Sequence, residues 1–186
     1  LRYPKVKVVS TEKAWLLMNQ FQFAIDEENF VEVKEGDTMS FGKHNIAFVA
    51  APMVHWPEVM VSFDTTDGVL FSADAFGFFK SLDGALFADE VDFKGEWLDE
   101  ARRYYTNIVG KYGPQVMNLL KKASTLDIKY ICPLHGPVWR KDISWFIDKY
   151  VHWATYTPEE KGVVIAYASM YGNTMSAAHI LAGKLH

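Results

Sequence analysis

The sequence predicts an α/β protein in which a β-rich part is followed by helices and by one buried parallel strand. Short segments rich in β-branched and aromatic residues occupy residues 30–73, with Gly or Asp between them. After Asp89 the apolar residues recur with a helical period. Residues 163–168 form an apolar run that is typical of a parallel strand covered on both faces.

The composition is that of a folded domain and argues against several classes of protein. Of the 186 residues 49% are hydrophobic and 23% are charged, as in a folded domain. A net charge of −4 without a basic run argues against a nucleic-acid surface. Cys132 is the only cysteine, which excludes an internal disulfide, a zinc ribbon and a Cys-ligated iron–sulfur cluster within these residues. No apolar run reaches the roughly 18 residues of a membrane helix, no signal peptide is recognised, and we expect a cytoplasmic protein without a membrane partner.

The first part of the chain predicts a strand, a helix and then short strands. Residues 5–9 alternate like a strand, and Ser10 and Thr11 supply an N-cap for a helix with Glu12 in its first turn. The apolar face of this helix consists of Ala14, Leu17, Met18 and Phe21. Five strands are expected at residues 30–33, 38–41, 46–50, 59–63 and 69–71. Asp67-Gly68 is a strong hairpin signal between the last two.

The remaining part predicts helices around one more short strand. An apolar stripe from Trp97 to Ile108 indicates one helix, and Gly113-Pro114 begins a second. Residues 130–132 are a buried strand, and residues 143–154 are a third helix. The polar residues 157–162 are interpreted as a linker. Beyond the strand at 163–168, an alanine-rich helix is expected to extend to His186.

Three side chains suited to metals are expected at one edge of the sheet. His55 precedes the strand at 59–63, and the hairpin returns Asp74 to the edge where His55 lies. A strand–helix–strand crossover within one sheet returns parallel, so His135 emerges at that edge too. Imidazole and carboxylate ligands suit Fe, Zn or Mn, and a carboxylate can bridge two metals. Each residue also has a structural interpretation, since Asp74 can cap a turn and either histidine can be a loop residue.

A second candidate site lies where the predicted strand at 163–168 passes into the last helix. Backbone N–H groups at the start of a helix favour a phosphate, and Gly172 permits close backbone approach. An ordinary strand-to-helix turn with Asn173 or Thr174 as N-cap is the alternative. The loop consists of Ser169, Met170, Tyr171, Gly172, Asn173 and Thr174.

These motifs resemble those of a known family. The spacing His55-x18-Asp74-x60-His135 is similar to the second half of the metal motif of flavodiiron proteins, the A-type flavoproteins. The sequences around these residues also resemble those of the family, namely APMVHWP at 51–57, FSADAFG at 71–77 and PLHGPVWR at 133–140. The order of metal motif, linker and phosphate loop is that of the family as well.

The resemblance implies a fold and a set of cofactors. The fold would be the second part of a metallo-β-lactamase-like αββα sandwich, joined to the first strand and helix of a flavodoxin-like parallel sheet. His55 would bind one iron and His135 the other, with Asp74 bridging the two ions. The loop Ser169 to Thr174 would bind the FMN phosphate. The intact protein would reduce O2 to water, or NO to N2O, with electrons delivered through FMN.

The resemblance also implies partners. Members of the family form head-to-tail homodimers, or dimers of dimers, in which FMN of one subunit lies near the diiron site of the other. The 28 aromatic residues are compatible with such an interface. The electron donor would be rubredoxin, a reduced deazaflavin or another carrier.

The sequence departs from the family at both ends. The first ligand cluster of the family, of His-x-Glu-x-Asp-His type, would fall upstream of Leu1, and nothing in residues 1–54 replaces it. His44 is the only earlier histidine, has no acidic neighbour at ligand spacing and is interpreted as a strand-end surface residue. We expect a metal domain at 1–156 that lacks its first part, a linker at 157–162 and the start of a flavin domain at 163–186. The isolated 186-residue chain is expected to lack oxidase activity.

Two other functions remain open at this stage. A zinc-dependent hydrolase of the metallo-β-lactamase superfamily would activate water at the same edge, but it would not require the loop from Ser169 to Thr174. A degenerate metal domain could instead serve as a docking scaffold for a flavin module, although His55, Asp74 and His135 are all retained.

Overall fold

The sheet that carries the candidate metal edge has five strands. The computed structural model of the chain describes residue 3 and residues 5–23 and 25–185. The strands are β3 (Thr38–Phe41), β4 (His44–Ala50), β5 (Met60–Asp64), β6 (Val69–Phe71) and β7 (Tyr130–Cys132), in that spatial order. All neighbours are antiparallel except β6 and β7, which are parallel. The predicted hairpin and the predicted parallel return of residues 130–132 are thus confirmed.

A separate two-stranded sheet lies at the beginning of the chain. Its parallel strands are β1 (Val8–Ser10) and β2 (Phe30–Glu32). Helix α1 (Glu12–Gln20) begins as predicted, because the Thr11 side chain accepts a hydrogen bond from the backbone N–H of Ala14 at 3.1 Å. No residue of α1 is fully buried, so its predicted apolar stripe is only partly covered.

The helices that come after β6 in the chain confirm the predicted order with one difference. They are α2 (Leu98–Tyr104), α3 (Gly113–Ala123) and α4 (Ile143–Ala154). The helix predicted from Trp97 to Ile108 is regular only over α2, which is flanked by π-helical turns at Phe93–Trp97 and Tyr105–Val109. The consecutive residues Tyr104 and Tyr105 are both buried at the junction with the second π turn.

Aromatic side chains dominate the core between the sheet and these helices. Phe146 of α4 stacks on Trp139 with ring centroids 4.1 Å apart, and Phe93 meets Trp139 edge-on at 4.6 Å. Tyr150 contacts Phe76 at 4.7 Å, directly behind the loop that carries Asp74. The aromatic core therefore packs against the inner side of the loop that carries Asp74.

The last segment corrects one prediction. Residues 163–168 form no strand, and Val164 is 94% exposed rather than buried on both faces. A parallel strand requires neighbours that pair its backbone groups, and no strand in the described part of the chain lies beside it. Helix α5 (Asn173–Leu185) forms as predicted, while its expected last residue, His186, lies outside the described residues. Within the described ranges, the helices are all too short or too polar to cross a membrane.

Candidate metal centre

His55 is held by a tight loop between β4 and β5. The backbone N–H of Met53 donates to the carbonyl of Trp56 at 2.7 Å, and that of Val54 donates to Ala51 at 3.1 Å. Val54 is 1% exposed, so its side chain anchors the loop in the core. His55 itself is only partly covered, with its side chain 27% exposed at the edge of the sheet.

Asp74 lies in a turn immediately after β6. The hydroxyl of Ser72, which is fully buried, donates to the carbonyl of Ala75 at 2.8 Å, and the N–H of Ala75 donates back to Ser72. The N–H of Gly77 closes the next turn on the carbonyl of Asp74 at 3.2 Å. These backbone bonds leave the Asp74 carboxylate free to face the edge.

His135 follows β7 on a loop that is bonded to the Asp74 turn. The N–H of Leu134 donates to the carbonyl of Ala73 at 2.8 Å, which joins the two loops directly. Gly136 adopts a φ of +108°, and a Cβ at this position would lie 2.1 Å from the Phe78 ring. Position 136 therefore requires glycine if the loop is to hold His135 where it lies.

The three predicted side chains converge, as the strand directions required. His55 Nε2 lies 3.3 Å from one carboxylate oxygen of Asp74, and His135 Nε2 lies 3.3 Å from the other. Asp74 is 19% exposed, whereas His135 is 56% exposed. A carboxylate whose two oxygens each face a different imidazole suits a pair of metal ions, since each oxygen can serve one ion. The donor set thus fits a two-metal centre, and the ligand roles stay a prediction.

Tyr104 is a neighbour of this centre that the sequence reasoning did not identify. Its ring centroid is 5.8 Å from that of His135, and the residue is 4% exposed. Burial, with a further contribution from the negative charge of Asp74, raises the pKa of the phenol far above its usual value. The hydroxyl therefore stays protonated beside the centre. Only its place in the predicted helical stripe marked it, and that pattern indicates a core residue.

His44 lies at the edge of the sheet opposite His55, and it has acidic neighbours that the sequence did not predict. Its side chain is half exposed, as expected of a strand end, but Nδ1 lies 2.7 Å from Asp64 and 3.6 Å from Asp67. These acidic neighbours come from the far end of the β5–β6 hairpin, so the spacing along the chain did not reveal them. Burial works to raise the pKa of Asp64, yet hydrogen bonds from the Thr66 N–H and His44 lower it overall.

The predicted phosphate loop lies at the start of α5. Gly172 has a φ of +84°, and its carbonyl accepts hydrogen bonds from both the N–H and the hydroxyl of Ser176. The helix begins at Asn173, so Gly172 precedes its first residue, and the alternative interpretation of Asn173 or Thr174 as the N-cap is wrong. Met170 and Tyr171 are 86% and 87% exposed. Phosphate binding by this loop stays a prediction.

The position of Gly136 leads to a first test of the site. We expect Gly136→Ala to lower the free energy of unfolding by roughly 2–4 kcal/mol, because the new Cβ meets a buried ring and the backbone is left-handed. Gly84→Ala is the matched control, since Gly84 has a φ of +111° with no atom within 4 Å of its Cβ position. Urea unfolding of both variants measures the difference. Equal losses of stability would show that the Phe78 contact does not constrain the His135 loop.

The chain is similar in sequence to a described protein family and to several curated proteins. Residues 1–136 match the family model described as ODP family beta lactamase. The chain is 38% identical over 163 residues to the anaerobic nitric oxide reductase flavorubredoxin of Aeromonas hydrophila, covering 86% of this chain and 32% of that protein. It is 35% identical over 180 residues to the nitric oxide reductase of Moorella thermoacetica, covering 96% of this chain and 44% of that protein.

Solved structures of similar proteins share this fold. Rubredoxin:oxygen oxidoreductase from Desulfovibrio gigas superposes with a TM-score of 0.84 at 31% identity, over 95% of this chain and 44% of that one. A variant of the flavo di-iron protein from Thermotoga maritima superposes with a TM-score of 0.87 at 28% identity, over 97% of this chain and 44% of that one. The chain thus spans less than half the length of each of these relatives. The α/β, metallo-β-lactamase-like fold is confirmed.

Proposed function

The chain belongs to the ODP family of β-lactamase domains and to the flavodiiron proteins, and from that premise we propose that it supplies part of a diiron oxidoreductase. The observation that carries the proposal is the placement of Asp74 between His55 and His135, with one oxygen toward each. His55 would bind one iron, His135 the other, and Asp74 both. Two iron ions with FMN would supply electrons for the reduction of O2 to water, or of NO to N2O.

The residues of this chain would then hold, orient and enclose the reacting group. The backbone bonds of the Asp74 turn and the Leu134–Ala73 bond fix His135 relative to the carboxylate, and the bonds within the loop at residues 51–56 hold His55. Tyr104 packs its ring beside His135 and would keep its phenol proton there. The buried Phe76 and Phe78 would close the site on its inner side, which leaves the exposed edge for a small ligand to approach.

The remaining parts of the proposal concern electron delivery. Residues 1–156 would form the metal domain, 157–162 the linker and 163–186 the start of a flavodoxin-like domain. The loop from Ser169 to Thr174 would hold the FMN phosphate at the amino end of α5, where backbone N–H groups favour an anion. A rubredoxin or a similar carrier would reduce the flavin. FMN of one subunit would serve the metal site of its partner in a head-to-tail dimer.

Metal and flavin analysis of the purified full-length protein tests this function. We expect about two iron ions per chain together with bound FMN. Consumption of O2 and of NO, each measured with reduced rubredoxin under otherwise equal conditions, then establishes which of the two is the better substrate. Zinc without flavin would overturn the proposal in favour of a hydrolase, and a protein without metal would favour a docking scaffold.

A further inference from the structure

One residue of the linker is bound into the metal domain. The Glu159 carboxylate accepts hydrogen bonds from Arg102 Nε at 3.0 Å and from Trp153 Nε1 at 2.9 Å, both through Oε2. Its other oxygen forms an ion pair with Lys149 Nζ at 2.7 Å. The side chain is only 17% exposed, whereas the next residue, Glu160, is exposed. The linker is therefore attached at a specific point rather than lying loosely on the surface.

The three donors come from two helices that pack on the core. Arg102 belongs to α2, and Lys149 and Trp153 belong to α4. The Trp153 ring contacts Tyr105 and Tyr150 at 5.4 and 5.3 Å. Burial alone would raise the pKa of Glu159, but the hydrogen bonds from Lys149, Trp153 and Arg102 bring it down to about 2. The carboxylate is thus charged and bonded over the whole physiological pH range.

Backbone and hydroxyl contacts continue this attachment toward α4. The N–H of Thr157 donates to the carbonyl of His152 at 2.9 Å, and the hydroxyl of Tyr156 donates to the carbonyl of Gly110 at 3.1 Å. After Glu159 the side chains up to Val164 are exposed. Glu159 is accordingly the last strongly bound side chain before the segment that leads to the candidate FMN loop.

We propose that Glu159 is a positioning residue that latches the linker to the metal domain and so sets the distance over which electrons pass from FMN to iron. The inference rests on the proposed function. When bound, reduced FMN would supply two electrons, one to each of two ferric ions, and release its two protons to the solvent, and the external carrier would then return two electrons to the flavin. In a head-to-tail dimer the course of each linker would determine how close a flavin lies to the metal site of the other subunit, and electron transfer slows steeply with distance.

The test compares Glu159→Gln with Glu160→Gln in the full-length protein. Glutamine preserves the shape of the side chain but removes the charge and places an amide where Lys149 requires an acceptor. The measurement is the rate at which trypsin cleaves the folded protein after Lys161, with the products identified by mass spectrometry. We expect this rate to rise on the order of tenfold in Glu159→Gln and to stay unchanged in Glu160→Gln. Lys149→Gln removes the cation that pairs with Glu159, and we expect it to raise the rate of cleavage after Lys161 as well.

A second measurement separates positioning from general stability. In Glu159→Gln, the reoxidation of reduced flavin by O2 should slow on the order of tenfold, while reduction of the flavin by its carrier and the iron and FMN contents stay unchanged. Cleavage and reoxidation equal to those of Glu160→Gln would overturn the proposal. Faster cleavage with normal reoxidation would also overturn it, because the latch would then have no effect on electron transfer. If the wild-type protein holds no iron or flavin, the proposed function fails, and with it the positioning role, whereas the cleavage comparison still decides whether the latch exists.

Discussion

Replacing Asp74 by alanine is expected to reduce the iron content of the full-length protein from about two ions per chain to fewer than one. The substitution removes both oxygens that face His55 and His135, and so it takes a ligand from each proposed iron at once. Reduction of O2 and of NO should fall by at least ~100-fold, since removing even an outer partner of a metal ligand costs 10–100-fold. Metal analysis and gas consumption, measured on the same preparation, check both effects.

Two further variants sharpen the test of Asp74. Asp83→Ala removes an exposed carboxylate and is the matched control, which should retain full iron content and activity. Asp74→Asn keeps the shape of the side chain but leaves one good acceptor, so it should lose most of the second ion. If Asp74→Ala binds iron and consumes O2 as the control does, the bridging role is wrong.

Replacing Phe146 by alanine is expected to lower the free energy of unfolding by about 3–5 kcal/mol. Phe146 is 1% exposed and lies at the centre of the aromatic core. It stacks on Trp139 at 4.1 Å and contacts Phe93 and Tyr150 at 5.4 Å each. Deleting the ring leaves a cavity that these rigid neighbours fill poorly. Urea denaturation measures the loss directly.

The control for Phe146 uses an aromatic residue at the surface. Phe79 is 42% exposed, so Phe79→Ala should cost less than about 1 kcal/mol. Phe146→Leu should fall between the two, because it retains part of the buried volume. Similar losses for Phe146→Ala and Phe79→Ala would mean that the ring cluster around Trp139 does not govern the stability of the domain.

Local patterns in the sequence predicted most of the regular structure. The N-cap at Thr11, the turn at Asp67-Gly68 and the helix start at Gly113-Pro114 are each specified by adjacent residues, and each is present. The predicted strand at 163–168 depends instead on pairing with other strands, which its own apolar residues cannot supply. The π turn after α2 was likewise unpredictable, because burial of both Tyr104 and Tyr105 depends on the surrounding core.

The same distinction applies to the candidate site. Strand direction alone brought His55, Asp74 and His135 to one edge, and the structure confirms this convergence. The approach of one imidazole to each oxygen of Asp74 could not be predicted, because it depends on side-chain rotamers. Long-range partners were also missed. His44 meets Asp64 across a strand pair, and Glu159 meets Arg102, which is 57 residues earlier in the chain.

The strand directions have a practical consequence for handling the molecule. The candidate metal edge receives the ends of β4, β6 and β7, whereas the turn at Gly42 between β3 and β4 lies at the opposite edge. Gly42 is exposed, and no atom lies within 4 Å of its Cβ position. A protein immobilised on an electrode or a sensor chip through this turn would therefore present the edge with His55, Asp74 and His135 on the side away from the support.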